Sequence, residues 1–372
     1  MAIRPRAFNP SRLRLARQRR GTTKAGLANR AGISTRSLTA YESGTQHPTR
    51  QTLDRIAQAL DFPVDFLRGA DLPEVPIDAA SFRALTKLTA TKRDQAIASA
   101  AFALGLSDWI EERFSLPACT VPRVPDADPE TAAEAVRREW GLGELPISNM
   151  VHLLEAHGVR VFSLVEECAD VDAFSFWRDG VPFIFLNTMK TAERSRMDAA
   201  HELGHLVLHA AHGIAPRGRH AELEAQAFGS AFLMPRGSVI AHAPRTGLLN
   251  DLHRAKRYWK VAAANLAHRM HDLQLLSDWQ YRMVFVELSS SGQRRSELGG
   301  VARESSLALR KVFAVLRREE GVSKADVAAE LGMPLQELNK VVFGLVLTQV
   351  HGRHSGEANS TSMSAPPSLR IM

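Results

Sequence analysis

Two histidines four residues apart, His201 and His205, stand in the string AAHELGHLVLHA, which holds no proline and one glycine. On an α-helix that spacing puts both side chains on one face, so the stretch is expected to be a helix that presents two imidazoles together. The same spacing lets both rings hold one Zn2+, with Glu202 beside the open coordination position, where it can accept a proton from water. A tetrahedral site takes a third protein ligand. Downstream, AELEAQAFGSAFLMP supplies Glu222 and Glu224 on a second helix whose packing face is Phe228, Ala231 and Phe232. Glu224 shares that face through its i+4 step to Phe228. His209 is the rival ligand, because it continues the histidine face by one turn. The metzincin arrangement is absent, since its glycine and third histidine would fall on Leu208 and Ala211.

The residues before this helix read as a mixed α and β unit. TAAEAVRREWGL and ISNMVHLLEAHG have helical patterns, and VRVFSLV, AFSFWRD and VPFIFLN are short apolar or alternating runs parted by turn residues, as three strands require. PACTVPRVPDADP (117–129) holds four prolines without periodicity and reads as a linker and domain boundary. Ahead of it, residues 82–114 form a long helical pattern with an alanine-rich stretch suited to packing.

Composition sharpens the division. The 372 residues are 45% hydrophobic and 23% charged, as an ordinary globular protein of two or three domains would be. Two cysteines, Cys119 and Cys168, exclude a disulfide scaffold and a tetrathiolate zinc site. No apolar run reaches the roughly 18 residues of a membrane span and no signal-peptide pattern opens the chain, so the expected compartment is the cytoplasm. The net charge is +7, yet residues 1–70 hold 13 Lys and Arg against 4 Asp and Glu, while the remaining residues hold 34 against 36. The whole positive excess lies at the N-terminus and points to a polyanion there.

That basic block has its own signature. Asn9-Pro10 opens a helix that Gly21 ends. Thr23 caps KAGLANRAG and Ser34 caps STRSLTAYESG; two short helices around AGIS make a helix-turn-helix that buries Leu27, Ala31, Ile33 and Leu38. PTRQTLDRIAQAL follows, with Leu53, Ile56, Ala57 and Leu60 at i, i+3, i+4 and i+7. Over residues 9–68 this order resembles the XRE (phage-repressor-like) DNA-binding family, through Ala31-Gly32-Ile33-Ser34 at the turn, YESG at the end of the reading helix and Pro48 before helix four. Thr22, Lys24 and Gly26 depart from its usual residues. The resemblance implies double-stranded DNA as partner and a dimer on paired half-sites. It places Thr35, Arg36, Ser37 and Thr39 toward base edges, with Arg36 suited to a guanine and Lys24, Arg30 and Arg50 to phosphates. The arm with Arg4 and Arg6 could reach the minor groove or a phosphate.

From about Ala132 to Trp279 the chain resembles the ImmA/IrrE family of gluzincin-like metallopeptidases, through ISNMVHLLEAHGVRVFSL, IFLNTMKTAERSR, HELGHLVLH and EAQAFGSAFLMP. Met197 and Gln226 depart from its usual aromatic and Asn. What this implies is zinc on His201, His205 and Glu224, with Glu202 as catalytic base. His253, Tyr258, His271 and Tyr281 all remain candidates for polarising a carbonyl. Residues 302–347 read as a further helical pair of mixed charge, a packing or dimer element.

The expected architecture is multidomain and mainly α with a small β-sheet: a lambda-repressor-like helix-turn-helix domain at 1–72, a helical spacer and proline-rich linker at 73–128, an α+β gluzincin-like domain at 129–290, a helical region at 291–350 and a disordered tail at 351–372. The function expected from the two resemblances is a DNA-binding regulator whose zinc endopeptidase cleaves a repressor-type protein or itself. The alternative is a non-enzymatic or antitoxin-like regulator whose zinc domain senses a ligand.

Overall fold

The computed structural model describes residues 8–76, 89–125, 127–164, 173–209, 218–244, 248–291, 300–346 and 370–371. The Arg4 and Arg6 arm, the start of the 82–114 helix, Cys168 and nearly all of the C-terminal tail lie outside the described residues.

At the N-terminus, helices α1 (Pro10–Arg19), α2 (Lys24–Ala31), α3 (Thr35–Glu42) and α4 (Arg50–Leu60) begin at caps whose side chains accept a backbone N–H of the first turn: Asn9, Thr23, Ser34 and Thr49. Gly32 ends α2 in the left-handed region, at φ 63°, so the chain can turn tightly into α3. Leu13, Leu27, Leu38, Ile56 and Leu60 close one core beneath these helices. The helix-turn-helix expected from the sequence is therefore present.

Helix α5 (Ala90–Glu111) is 22 residues long and buried from Ala98 to Leu106 without a break. It packs against α1 on one side and against the C-terminal helices and the sheet on the other. Its small residues permit that: alanines let several elements approach one helix closely. The proline-rich stretch after α5 also packs instead of spanning freely. Val121 is buried, and the Val124 N–H donates to the Val207 carbonyl. Short of donors because of its prolines, it can lie along other elements without leaving buried N–H groups orphaned.

After α6 (Pro129–Glu139) and α7 (Met150–Ala156) come three strands, β1 (Arg160–Leu164), β2 (Ala173–Arg178) and β3 (Val181–Asn187), in the order β1-β3-β2. β1 runs parallel to β3, and β2 pairs antiparallel to β3 through a tight turn at Asp179-Gly180. Phe174, Phe176, Phe183 and Phe185 stack across the β2–β3 pair. The sheet carries α8 (Ala192–Leu208), the helix of the histidine pair, and α9 (Arg219–Leu233) lies along α8. Helices α10 (Arg236–His242), α11 (Leu249–Trp259), α12 (Ala263–Asp272) and α13 (Asp278–Ser290) complete this α+β unit. No helix among the described residues is long and apolar enough to cross a membrane.

Of the C-terminal helices, α14 (Leu307–Val315), α15 (Lys324–Glu330) and α16 (Leu335–Val341), α14 packs against α7 and α16 against α5. Carboxylates from distant parts of the chain hold the segment. Glu155 caps the start of α14 by accepting from the Leu307 and Ala308 N–H groups. Glu304 accepts from the Met150 and Val151 N–H groups and pairs with Arg196 of α8. Glu337 ties the segment to the helix-turn-helix, with Arg19 Nε at 2.6 Å and Arg20 Nη1 at 2.8 Å. Arg19 and Glu337 are almost wholly buried, so neither charge has water as an alternative partner. Removing one member of a buried ion pair typically costs about 3–5 kcal/mol, because the other stays buried and uncompensated. Glu337→Ala is expected to lower unfolding stability by that order in a urea titration, whereas Glu112→Ala, at an exposed pair, is expected to change it by less than about 1 kcal/mol.

Candidate metal centre and nucleic-acid interface

The metal centre begins with how close α8 and α9 come. Gly204 faces α9 so tightly that a Cβ there would sit 3.1 Å from the Ala225 carbonyl oxygen. Gly229 returns the contact, since its Cβ would sit 3.0 Å from the His201 nitrogen. The line of contact on α9 runs through Ala225 and Gly229 and continues to the buried Ala221, with Glu222 beside it, three residues before Ala225.

Glu222 accordingly stands opposite the histidine pair. The Nε2 atoms of His201 and His205 are 3.1 Å apart, and each lies 3.7 Å from a Glu222 carboxylate oxygen, Oε2 for His201 and Oε1 for His205. Two ligands of a tetrahedral zinc, each at about 2.0–2.1 Å, would be about 3.3–3.4 Å apart. The His201–His205 separation and the two to Glu222, which end on different carboxylate oxygens, lie within about 0.4 Å of that value, so the residue types and their spacing suit such an ion. Glu202 joins the cluster, with the ligand-type atoms of His201, Glu202 and His205 all within 4.8 Å of one another.

Glu224, the third ligand the resemblance implies, stands apart from the histidine pair. Its carboxylate turns to His209, whose Nε2 is 3.0 Å from Oε2, and to His220, whose Nε2 is 3.1 Å from Oε1. The helix rotates by about 100° per residue, so Glu224 is carried round from the contact line toward the next turn of α8. His209 also lies apart from the cluster: its Nδ1 is 3.0 Å from Nδ1 of His205, on the side of that ring away from His201 and Glu222.

Burial sets the protonation of the pair. Removal from water pulls His201 down to about 4, against a hydrogen bond to the Gln226 side chain that favours the charged ring. His205 falls well below the usual imidazole range, through burial and then the neighbouring His201 and His209. Both rings are therefore neutral near pH 7, the form that binds a metal. Glu202 is buried, and its Oε2 accepts a hydrogen bond from Ser175 Oγ at 2.7 Å. Ser175 is on the edge strand β2. Two residues on, Trp177 Nε1 donates to the Leu206 carbonyl, so one face of β2 holds both the carboxylate and its helix.

Sequence reasoning did not find Ser175 and assigned Gln226 no role. Ser175 comes from a strand 27 residues earlier, and no local pattern links it to Glu202. Gln226 is legible in retrospect, four residues after Glu222 and so on the same face. Three of the four candidates for polarising a carbonyl engage other neighbours, and the fourth is buried. His271 pairs with Asp278, Tyr281 bonds His268, Tyr258 stacks on His242, and His253 is buried with neither ring nitrogen hydrogen-bonded.

On the helix-turn-helix, Thr35, Arg36 and Thr39 are exposed along α3, while Ser37 is half-buried and closes on the Ser34 cap. Arg50 is exposed at the first turn of α4. Arg30 is exposed but donates to Thr22 Oγ1, and the Lys24 ammonium lies 3.6 Å from Glu42. Glu42 also holds Arg17. Lys24 thus shares its charge with a buried carboxylate, which its place in the sequence does not reveal.

Comparison with known families finds two matches. Residues 154–271 match the family described as IrrE N-terminal-like domain, and residues 13–67 match a helix-turn-helix family. The chain therefore joins an XRE-type helix-turn-helix to an ImmA/IrrE-like, metallopeptidase-like domain. No curated protein matches the chain.

Proposed function

We propose that this chain, a helix-turn-helix domain fused to an IrrE N-terminal-like domain, is a DNA-binding regulator with a zinc-dependent endopeptidase site that cleaves a repressor-type protein or the chain itself. The observation that carries the reading is the convergence of three donors, Nε2 of His201, Nε2 of His205 and the Glu222 carboxylate, at edges of 3.1 and 3.7 Å. Those three residues would hold the zinc. When bound, such an ion lowers the pKa of water and polarises a carbonyl.

The remaining chemistry belongs to the chain. Glu202, held by Ser175, accepts the proton of the attacking water and passes it to the departing amine. Burial around His201 and His205 keeps both rings neutral and excludes bulk water from that proton. Gln226 orients His201. The domain acts in the cytoplasm, and the protein binds DNA as a dimer, because one short reading helix makes few base contacts.

Two experiments test the two halves. Zinc-loaded protein is incubated with candidate XRE-type repressors and alone, and new N-termini are mapped; endopeptidase action requires discrete termini that a chelator abolishes. For DNA, Arg36→Ala is expected to cost about 1–3 kcal/mol at one base pair and to relax preference there. Arg50→Ala should weaken all sequences alike and reduce the salt dependence. Equal operator selectivity in wild type and Arg36→Ala would remove Arg36 from base reading.

A further inference from the structure

We infer that His209 and Glu224 are positioning residues that fix the tautomer and ring orientation of His205; the inference rests on the zinc-site reading above. The direction of the chain follows from its far end. An ionised carboxylate only accepts hydrogen bonds, so Glu224 Oε2 must receive the proton of His209 Nε2 across their 3.0 Å contact. Nδ1 of a His209 ring whose proton sits on Nε2 is bare. It can only accept, and the atom facing it at 3.0 Å is His205 Nδ1. His205 therefore carries its proton on Nδ1 and keeps Nε2 bare, which is the nitrogen turned toward His201 and Glu222.

The relay is also anchored. His209 is 7% exposed and is the C-cap of α8, so its ring has little room to turn. The second oxygen of Glu224 is taken by His220, one turn earlier on α9. Glu224 thus bridges the two helices, one turn of α8 further along than Glu222 does. A metal-binding histidine commonly gives its other N–H to a carboxylate or carbonyl; here a second histidine stands between ring and carboxylate.

The test is metal affinity and the ligand-field spectrum of the full chain. Zn2+ affinity is read by competition with a chromophoric chelator, and the Co2+-substituted protein supplies the spectrum. His209→Ala and Glu224→Ala are each expected to weaken Zn2+ by about 10–100-fold, retain one ion at saturation and shift the Co2+ bands. Because Glu224 acts through His209, the double variant should be no weaker than His209→Ala alone. A merely structural role would make the two losses multiply. His209→Gln, whose side-chain oxygen can still accept from His205 Nδ1, should recover part of the affinity.

Unchanged affinity and spectrum in His209→Ala would overturn the relay, as would multiplicative losses in the double variant. Failure of either alanine variant to bind at saturating Zn2+, with helical content retained, would also overturn it by making that residue a ligand. Glu222→Ala separates this from the site reading: unchanged zinc binding in that variant would sink the ligand set, whatever His209 does.

Discussion

Glu202→Gln is expected to keep the fold and the bound metal while lowering cleavage by about 10²–10⁴-fold, the usual contribution of a positioned general base. The substitution is nearly isosteric, and the amide oxygen can still accept the Ser175 hydrogen bond that holds Glu202 at 2.7 Å. What the amide cannot do is take a proton from water. Metal content, thermal stability and operator affinity should therefore match wild type, while the rate of new N-terminus formation collapses. Ser175→Ala should give a smaller loss, because the carboxylate remains and only its orientation is freed. The regulatory output should freeze in the state that precedes cleavage. Reporter expression from the protein's own promoter, with wild type or Glu202→Gln, reads this in cells. A normal response from a zinc-loaded Glu202→Gln chain would replace the peptidase with a ligand-sensing zinc domain.

Loss of the metal is the second large effect. Glu222→Ala should reduce bound zinc from one per chain to a small fraction at micromolar metal, as should His201→Ala and His205→Ala. Each removes one of three converging donors, and metal affinity depends on the full set. Glu224→Ala and His209→Ala should retain the ion at saturation, because their contacts lie on the far side of the His205 ring. Metal analysis of the five purified variants, equilibrated against the same saturating free zinc for the relay pair and at micromolar zinc for the ligand set, reads the difference. Zinc retained by Glu222→Ala but absent from Glu224→Ala would return the third position to Glu224. Because Glu222 is about a third exposed, its truncation leaves no buried cavity, and a lost metal cannot be put down to a lost fold.

The basic N-terminal module behaves differently, since its chemistry is on the surface. Arg36 and Thr39 face solvent on a helix whose buried residues are Leu38 and Glu42, four apart on the opposite face. The buried Arg19–Glu337 pair could not be foreseen in the same way. In the sequence both residues look like solvated charges on helices, and 318 residues separate them. Burial of Arg19 arises because α5 packs against α1 and Glu337 of α16 reaches the same side.

The sequence by itself determined what is local: the caps and Gly32 that frame the helix-turn-helix, the three apolar strands, and the i, i+4 step that puts His201 and His205 on one face with Glu202 beside them. These follow from backbone geometry and hydrophobic period, which act over a few residues. Only the tertiary structure decided which carboxylate meets the pair. Glu222 and Glu224 are two residues apart on one helix, so the choice depends on how α9 is rotated about its axis against α8. That rotation is set by the close approach at Gly204 and Gly229, and a residue's side-chain direction turns by about 100° at each step. Ser175 and Gln226 likewise acquire their roles only from the elements that bring them to the site. A contact between distant segments leaves no period in the chain, because it is the packing of whole faces that selects it.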